Sequence, residues 1–312
     1  MIFEPVTYKG GVYRYEEIVE LIEDLGGYIV QLQQIAGDII IQALVPRADI
    51  EMMRQIAKPL NGTVTLSPLV GTEIAVVSPS LEIHHLPHAS CDVAEYLRRF
   101  GAKTNMVGLA RGFGKRIAQL NVEERDVINE HDCAIYVLGN FQECIHHKFN
   151  ALRRGIQVPI ILTGAPSKED LQRCVDPQVE GYVGGMGRMA HRAKRPEELE
   201  KLEEMAAEVS RVLEVRRTEI AKDPISVMPP RLMQVILEKL PAIHEVTSPT
   251  PVTVQMAGLR IKLPYETYAR DVRDLEIEHG IRVQDVADVL PSRMRTYIWV
   301  RVKPFSETNV MV

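Results

Sequence analysis

Residues 133–139 read Cys133-Ala134-Ile135-Tyr136-Val137-Leu138-Gly139, an unbroken apolar run of strand length that ends on glycine. The run lacks the alternation of a strand with one wet face, so both faces of its sheet must be covered. Four further runs share this character: Glu73 to Ser78, Thr104 to Leu109, Val158 to Thr163 and Gly181 to Gly184. Helical patterns fall between them, near 91–101, 122–131, 141–154 and 167–174. Strands alternating with helices predict an α/β protein whose central domain, residues 72–195, is a Rossmann-like parallel sheet. Open sheets of this kind bind ligands outside the carboxyl ends of their strands. The functional crevice is expected there, beside the turns Gly108–Gly114 and Gly139-Asn140.

Upstream, Tyr15–Leu25 (YEEIVELIEDL) sets Ile18, Leu21, Ile22 and Leu25 on one helical stripe, and Gly26-Gly27 ends it. Strand-like runs Tyr28–Leu32 and Asp38–Val45, a helix Asp49–Leu60 and strands near Val6–Tyr8 and Thr63–Leu66 complete the order β-α-β-β-α-β. That order predicts a ferredoxin-like or ACT-like α+β domain over residues 1–70. Downstream, a charged amphipathic stretch over 196–222 predicts a linking helix, with Leu199, Leu202, Met205, Ala206, Val209, Val212 and Leu213 at helical spacing on its apolar side. Asp223-Pro224 and Met228-Pro229-Pro230 mark a boundary. Residues 225–312 then read as a small α+β module: helix 231–240, strands 251–256 and 259–263, helix 264–272, and a last strand 296–303 holding the single tryptophan.

Composition excludes several classes of function. The 312 residues are 46% hydrophobic and 25% charged, with a formal charge of -5 and pI near 6.0. This balance argues against a nucleic-acid or anionic-membrane partner. Four cysteines, spread over 91, 133, 144 and 174, form neither a disulfide framework nor a zinc ribbon. The start MIFEPVTYKGG lacks the apolar core of a signal peptide, and no apolar run approaches the roughly 20 residues of a membrane span. The expectation is a soluble, cytoplasmic protein.

Two motifs carry chemistry. His84-His85-Leu86-Pro87-His88-Ala89-Ser90-Cys91 gathers three imidazoles and a thiol at a strand-to-helix junction. Imidazole and thiolate suit zinc, iron or an iron–sulfur cluster, and a helix start biases a cysteine toward thiolate. The competing reading is a polar loop with locally bonded histidines and a small apolar cysteine. One cysteine cannot complete a four-thiolate cluster, so a cluster here needs histidine or ligands from other chains. A mononuclear zinc or iron enzyme built on His84, His85, His88 and Cys91 is the alternative. Cys144, with His146 and His147, could join such a site or lie on an exposed helical face.

The second motif, Gly108-Leu109-Ala110-Arg111-Gly112-Phe113-Gly114-Lys115-Arg116, follows a strand. A nucleotide-binding P-loop needs glycine where Leu109 stands and Ser or Thr where Arg116 stands. What remains is a loop in which Arg111, Gly112, Gly114 and Lys115 could hold an anion or an acidic partner surface. Cys133 lies inside the apolar run and reads as core. No Gly-x-Ser-x-Gly elbow and no acid pair of catalytic spacing occurs, so the residues make no strong case for an enzyme.

The stretches FEPVTYKGGVYRYEEIVELIEDLGGYI, GTEIAVVSPSLEIHHLPHASCDVAEYLRRFGAKTNMVGLARGFGKRIAQLN, VLGNFQECI and GYVGGMGRMAHRAKR resemble the methanogenesis marker protein 7 family along the whole chain. CDVAEYLRRFGAKTNMV with VLGNFQECI is also similar to methyl-coenzyme M reductase operon protein C. The resemblance implies an archaeal, non-catalytic subunit of the ATP-dependent complex that activates methyl-coenzyme M reductase. Its implied partners are the reductase, operon protein C, other methanogenesis marker proteins and an ABC-type ATPase component. The implied cofactor is a complex iron–sulfur cluster, shared between subunits, passing low-potential electrons to the nickel tetrapyrrole. The missing nucleotide loop suits a subunit that is not the ATPase.

Overall fold

The computed structural model describes residues 3–78, 89–109, 120–138, 149–174, 179–186 and 195–312. The chain is a mixed α/β protein with one five-stranded parallel sheet and antiparallel sheets on either side of it in sequence. The first antiparallel sheet holds β1 (Phe3–Gly11), β2 (Tyr28–Ile35), β3 (Asp38–Pro46) and β4 (Thr63–Leu66) in the order β2-β3-β1-β4. Helices α1 (Glu16–Asp24) and α2 (Ile50–Ala57) cover one face. Ile18 and Ile22 of α1 and Met53 of α2 bury completely against Val6, Ile39 and Ile41. Helix α1 ends where Gly26 adopts φ 69°, and a Cβ on Gly27 would press on the carbonyl oxygens of Leu44 and Ile22 at 2.8 and 2.9 Å.

The parallel sheet contains β5 (Glu73–Ser78), β6 (Lys103–Gly108), β7 (Cys133–Val137), β8 (Ile160–Thr163) and β9 (Gly181–Val183), ordered β6-β5-β7-β8-β9. Every neighbouring pair is parallel. Residues of β5, β7, β8 and β9 are buried at every position, which explains the unbroken apolar reading. Side chains alternate between two cores. Ile74, Val76, Ile135 and Ile161 pack under α3 (Ala89–Arg99) and a long helix described below, while Ala75, Val77, Tyr136 and Leu162 face α4 (Val122–Asn129) and helical residues 149–153. Helix α4 opens with a capping box in which Asn121 Oδ1 accepts from the Glu124 amide and the Glu124 carboxylate accepts from the Asn121 amide.

After α5 (Lys168–Cys174) and β9, helix α6 (Arg195–Lys222) returns across the first face. Met205, Val209, Val212 and Leu213 are its buried stripe, whereas Leu199 stays half exposed. Helix α7 (Pro229–Lys239) then leads into an antiparallel sheet ordered β10-β11-β15-β14. Its strands are β10 (Val252–Gln255), β11 (Gly258–Ile261), β14 (Ala287–Pro291) and β15 (Ile298–Val302), with α8 (Tyr265–Asp274) between β11 and the later strands. Strand β14 and the small hairpin β12 (Glu276–Glu278) with β13 (Ile281–Arg282) are additions to the sequence reading. Val30 of the first sheet packs into the core formed by this last sheet and α7.

Candidate functional site

In the order β6-β5-β7-β8-β9 the chain leaves β5 for the edge strand β6 and then returns past β5 to β7. The crossovers after β5 and β7 therefore diverge, making the carboxyl ends of these two strands the topological switch point. Helix α3 begins there, eleven residues after β5 ends. Cys91 is its third residue and is exposed, while its neighbours Ala89 and Ser90 are buried. The sequence reading placed this helix near 91–101; Ala89 and Ser90 in fact belong to it, which sets the thiol inside the first turn. The same edge is held by two backbone bonds, from Leu138 N to Thr163 O at 2.8 Å and from Met186 N to Gly164 O at 2.9 Å, and by the Thr163 side-chain hydroxyl, which donates to Val183 O at 2.7 Å.

His84, His85 and His88 lie outside the described residues, as do Arg111, Gly112, Gly114 and Lys115, and Cys144, His146 and His147. By connectivity these segments leave the carboxyl ends of β5, β6 and β7 respectively. Cys133 is fully buried in β7, and burial with the adjacent Asp132 charge pushes its thiol upward, as a core cysteine requires. Among the described residues no three metal-ligating side chains converge.

The amino edge of the same sheet carries a polar cluster that the sequence reading missed. Arg260, in β11, is 1% exposed and reaches into the parallel sheet. Its Nε donates to both oxygens of Glu73, at 3.0 and 3.1 Å, and its Nη1 donates to Glu130 Oε2 at 2.5 Å. Gln255 Nε2 donates to Glu73 Oε2 at 2.5 Å and to the Glu130 carbonyl at 2.6 Å, while Trp299 Nε1 donates to Gln255 Oε1 at 3.0 Å. Asn105 Nδ2 donates to Glu73 Oε1 at 2.6 Å and faces His131 Nε2 at 3.0 Å. His131 Nδ1 lies 2.8 Å from the Val127 carbonyl, so the neutral ring is protonated on Nδ1 and accepts at Nε2. Asp132 accepts from the amides of Glu73, at 2.8 Å, and Met256, at 3.0 Å, stitching β5 to the turn after β10.

Electrostatics follow from this enclosure. Burial opposes a charge on Glu73, but surrounding positive charge and the bonds from Arg260 and Gln255 outweigh it and hold the carboxyl below its usual range. Burial depresses the His131 imidazole. Burial lifts Asp132 to about 7, against the two backbone amides that favour its charge. The cluster is a joint between sheets. Its only sequence signal is charge where strands are otherwise apolar: Glu73 opens an apolar run, and Arg260 interrupts GLRI.

The fold and its carboxyl edge define a multi-sheet α/β protein with an exposed thiol at the carboxyl edge of a doubly wound parallel sheet. The chain belongs to the methyl-coenzyme M reductase operon protein C family, which matches residues 3–275. That membership links it to methanogenesis and to methyl-coenzyme M reductase. An uncharacterized protein of Methanocaldococcus jannaschii is 40% identical over 309 residues, spanning 99% of this chain and 96% of that protein. Among solved structures, glutamyl-tRNA reductase from Methanopyrus kandleri overlaps 78% of this chain and 85% of its own at 10% identity, with a TM-score of 0.21. Phospho-2-dehydro-3-deoxyheptonate aldolase from Thermotoga maritima overlaps 55% of this chain and 65% of its own at 12% identity, with a TM-score of 0.17. Overlaps this loose carry no argument. No described helix is long and apolar enough to cross a membrane.

Proposed function

We propose that this protein is a methanogenesis marker protein 7 type, non-catalytic subunit of the ATP-dependent complex that activates methyl-coenzyme M reductase. It works in the cytoplasm with the reductase, operon protein C, other marker proteins and an ABC-type ATPase component. The observation that carries the reading is the exposed Cys91 at the switch point of a chain whose family is tied to the reductase. An exposed thiol in the first turn of a helix is open to a metal or cluster carried by a partner. Cys91 would supply one ligand to a complex iron–sulfur cluster, and one of His84, His85 or His88 another. The remaining ligands would come from partner subunits, since one thiolate is too few. When bound, the cluster supplies low-potential electrons. Arg111, Gly112, Gly114 and Lys115 are assigned to an anionic group or acidic partner surface at the same edge. The sheets are further read as domains: 1–70, 72–195 and 225–312, with 196–222 as the linking helix.

Metal analysis tests this reading against a mononuclear zinc or iron enzyme. Anaerobically purified complex should contain several irons and acid-labile sulfide per copy of this chain, and the isolated chain should contain neither. One zinc or iron per isolated chain, without sulfide, would establish the mononuclear reading instead.

A further inference from the structure

The three larger sheets meet around a cleft of about 220 Å³. Its walls come from separate parts of the chain: Gln31 and Gln42 of the first sheet, Arg98 and Lys103 beside the parallel sheet, and Thr250 and Thr253 of the last. Arg98 is pinned, since its Nη2 donates to the Thr104 carbonyl at 3.1 Å; Glu95 stands 4.0 Å from its Nη1. Lys262 stands behind Thr250, its Nζ donating to Ser248 Oγ at 2.6 Å and Thr250 Oγ1 at 3.2 Å. Among the described residues, neither Lys103 nor Lys262 has a carboxylate within ion-pair distance. Burial, with the nearby charges of Lys103 and Arg295, depresses the Lys262 ammonium, and Glu73 only partly offsets them. Arg98 has Glu95 as an ion-pair partner, so the charge left unmatched here is that of Lys103 and Lys262; they repel one another, and an anion between them relieves that repulsion. Gln31 and Gln42 face each other in the β2–β3 register, and neither amide is used in a hydrogen bond among the described residues.

We propose that this cleft is a binding site for a compact oxyanion, with a phosphate group as the species it fits. Arg98 and Lys103 line one wall, the Gln31 and Gln42 amides line another, and Lys262 stands behind Thr250 of the third; donors from several sides suit a tetrahedral anion with several acceptor oxygens better than a planar carboxylate with two. The volume lies below the roughly 300 Å³ at which drug-sized ligand pockets begin, so the ligand is a small phosphorylated molecule or free phosphate rather than a nucleotide. The site lies at the amino-edge side of Lys103, the first residue of β6, and is independent of Cys91.

The test is calorimetric titration of inorganic phosphate into the full-length chain at low ionic strength. The expected result is saturable binding at one site, weakened at least tenfold by Lys103→Gln and by Lys262→Gln, with circular dichroism unchanged. Lys239→Gln should leave binding intact, because that ammonium is engaged elsewhere by the Glu276 carbonyl at 2.8 Å. Lys103 is partly exposed, so Lys103→Gln carries the test if Lys262→Gln fails to fold. Absence of saturable binding, or binding indifferent to Lys103→Gln, overturns the proposal. Tighter binding of malonate than of phosphate overturns the choice of phosphate.

Discussion

Arg260 carries its charge into a space closed to water, and Glu73 and Glu130 carry theirs to meet it. Such a group stabilises little relative to an apolar core, yet removing one partner strands the others. Arg260→Ala should therefore cost about 3–5 kcal/mol in urea unfolding, far above the about 1 kcal/mol or less of an exposed pair such as Arg216–Glu219. The same joint has two opposed pH responses. Asp132, lifted to about 7 from 3.8, holds its proton more tightly when folded. Its stabilising contribution is full below pH 3.8 and is lost as pH rises through about 7. His131, depressed by burial below 6.5, stays neutral when folded; its contribution is present above pH 6.5 and is lost as pH falls below it. Melting temperature against pH should be shallow in the wild type, rise with pH more steeply in Asp132→Asn, and fall with pH in His131→Phe; unchanged slopes in both would contradict the assignment. Tyr8 offers a simpler case, because its hydroxyl is buried without a partner among the described residues. Tyr8→Phe should be neutral or stabilising by up to about 1 kcal/mol. Gly62→Ala should cost about 1–3 kcal/mol, because its Cβ would overlap the Tyr8 ring. Cys133 was legible as core from its apolar neighbours. Arg260, Glu73 and Glu130 were not, since their meeting depends on tertiary contacts 130 and 187 residues apart in sequence.

Elements whose pattern is set by burial on both faces, such as β5, β7 and β8, could be read from composition alone. Helix α6 was equally legible, because its stripe Met205, Val209, Val212 and Leu213 repeats at helical spacing. The hairpin β12–β13 was not: its strands are three and two residues long within a charged stretch, and its turn rests on His279 at φ 48° and Gly280 at φ 80°. Strand β14 was hidden for a related reason. It alternates buried Ala287 and Val289 with outward Asp288 and Leu290 over only five residues and begins directly after the short helix Val283–Val286. The segment after β6 carries a prediction of its own. Without glycine at Leu109 or a hydroxyl at Arg116, the isolated chain should show no ATP binding in calorimetry and no hydrolysis; micromolar ATP affinity would contradict this.

At the scale of the whole molecule, the polar joint and the packing of Val30 tie the flanking sheets to the amino side of the parallel sheet, leaving its carboxyl edge to the loops that follow β5, β6 and β7. The proposed activation-subunit role would use such a division, with the braced amino side as scaffold and the carboxyl edge toward partners. The strands and the helix start that frame the candidate site were legible, because strand ends and helix starts are local features. The joint that braces it was not, because long-range pairing leaves no local signature. Removing the Cys91 thiol should leave the fold intact, since an exposed side chain contributes little to the core. The decisive measurement is reductive activation of methyl-coenzyme M reductase by the anaerobically assembled complex carrying Cys91→Ala, read together with its iron content. The account predicts a folded subunit that still joins the complex, loss of cluster iron and loss of activation. Full iron content with normal activation would show that Cys91 is not a cluster ligand.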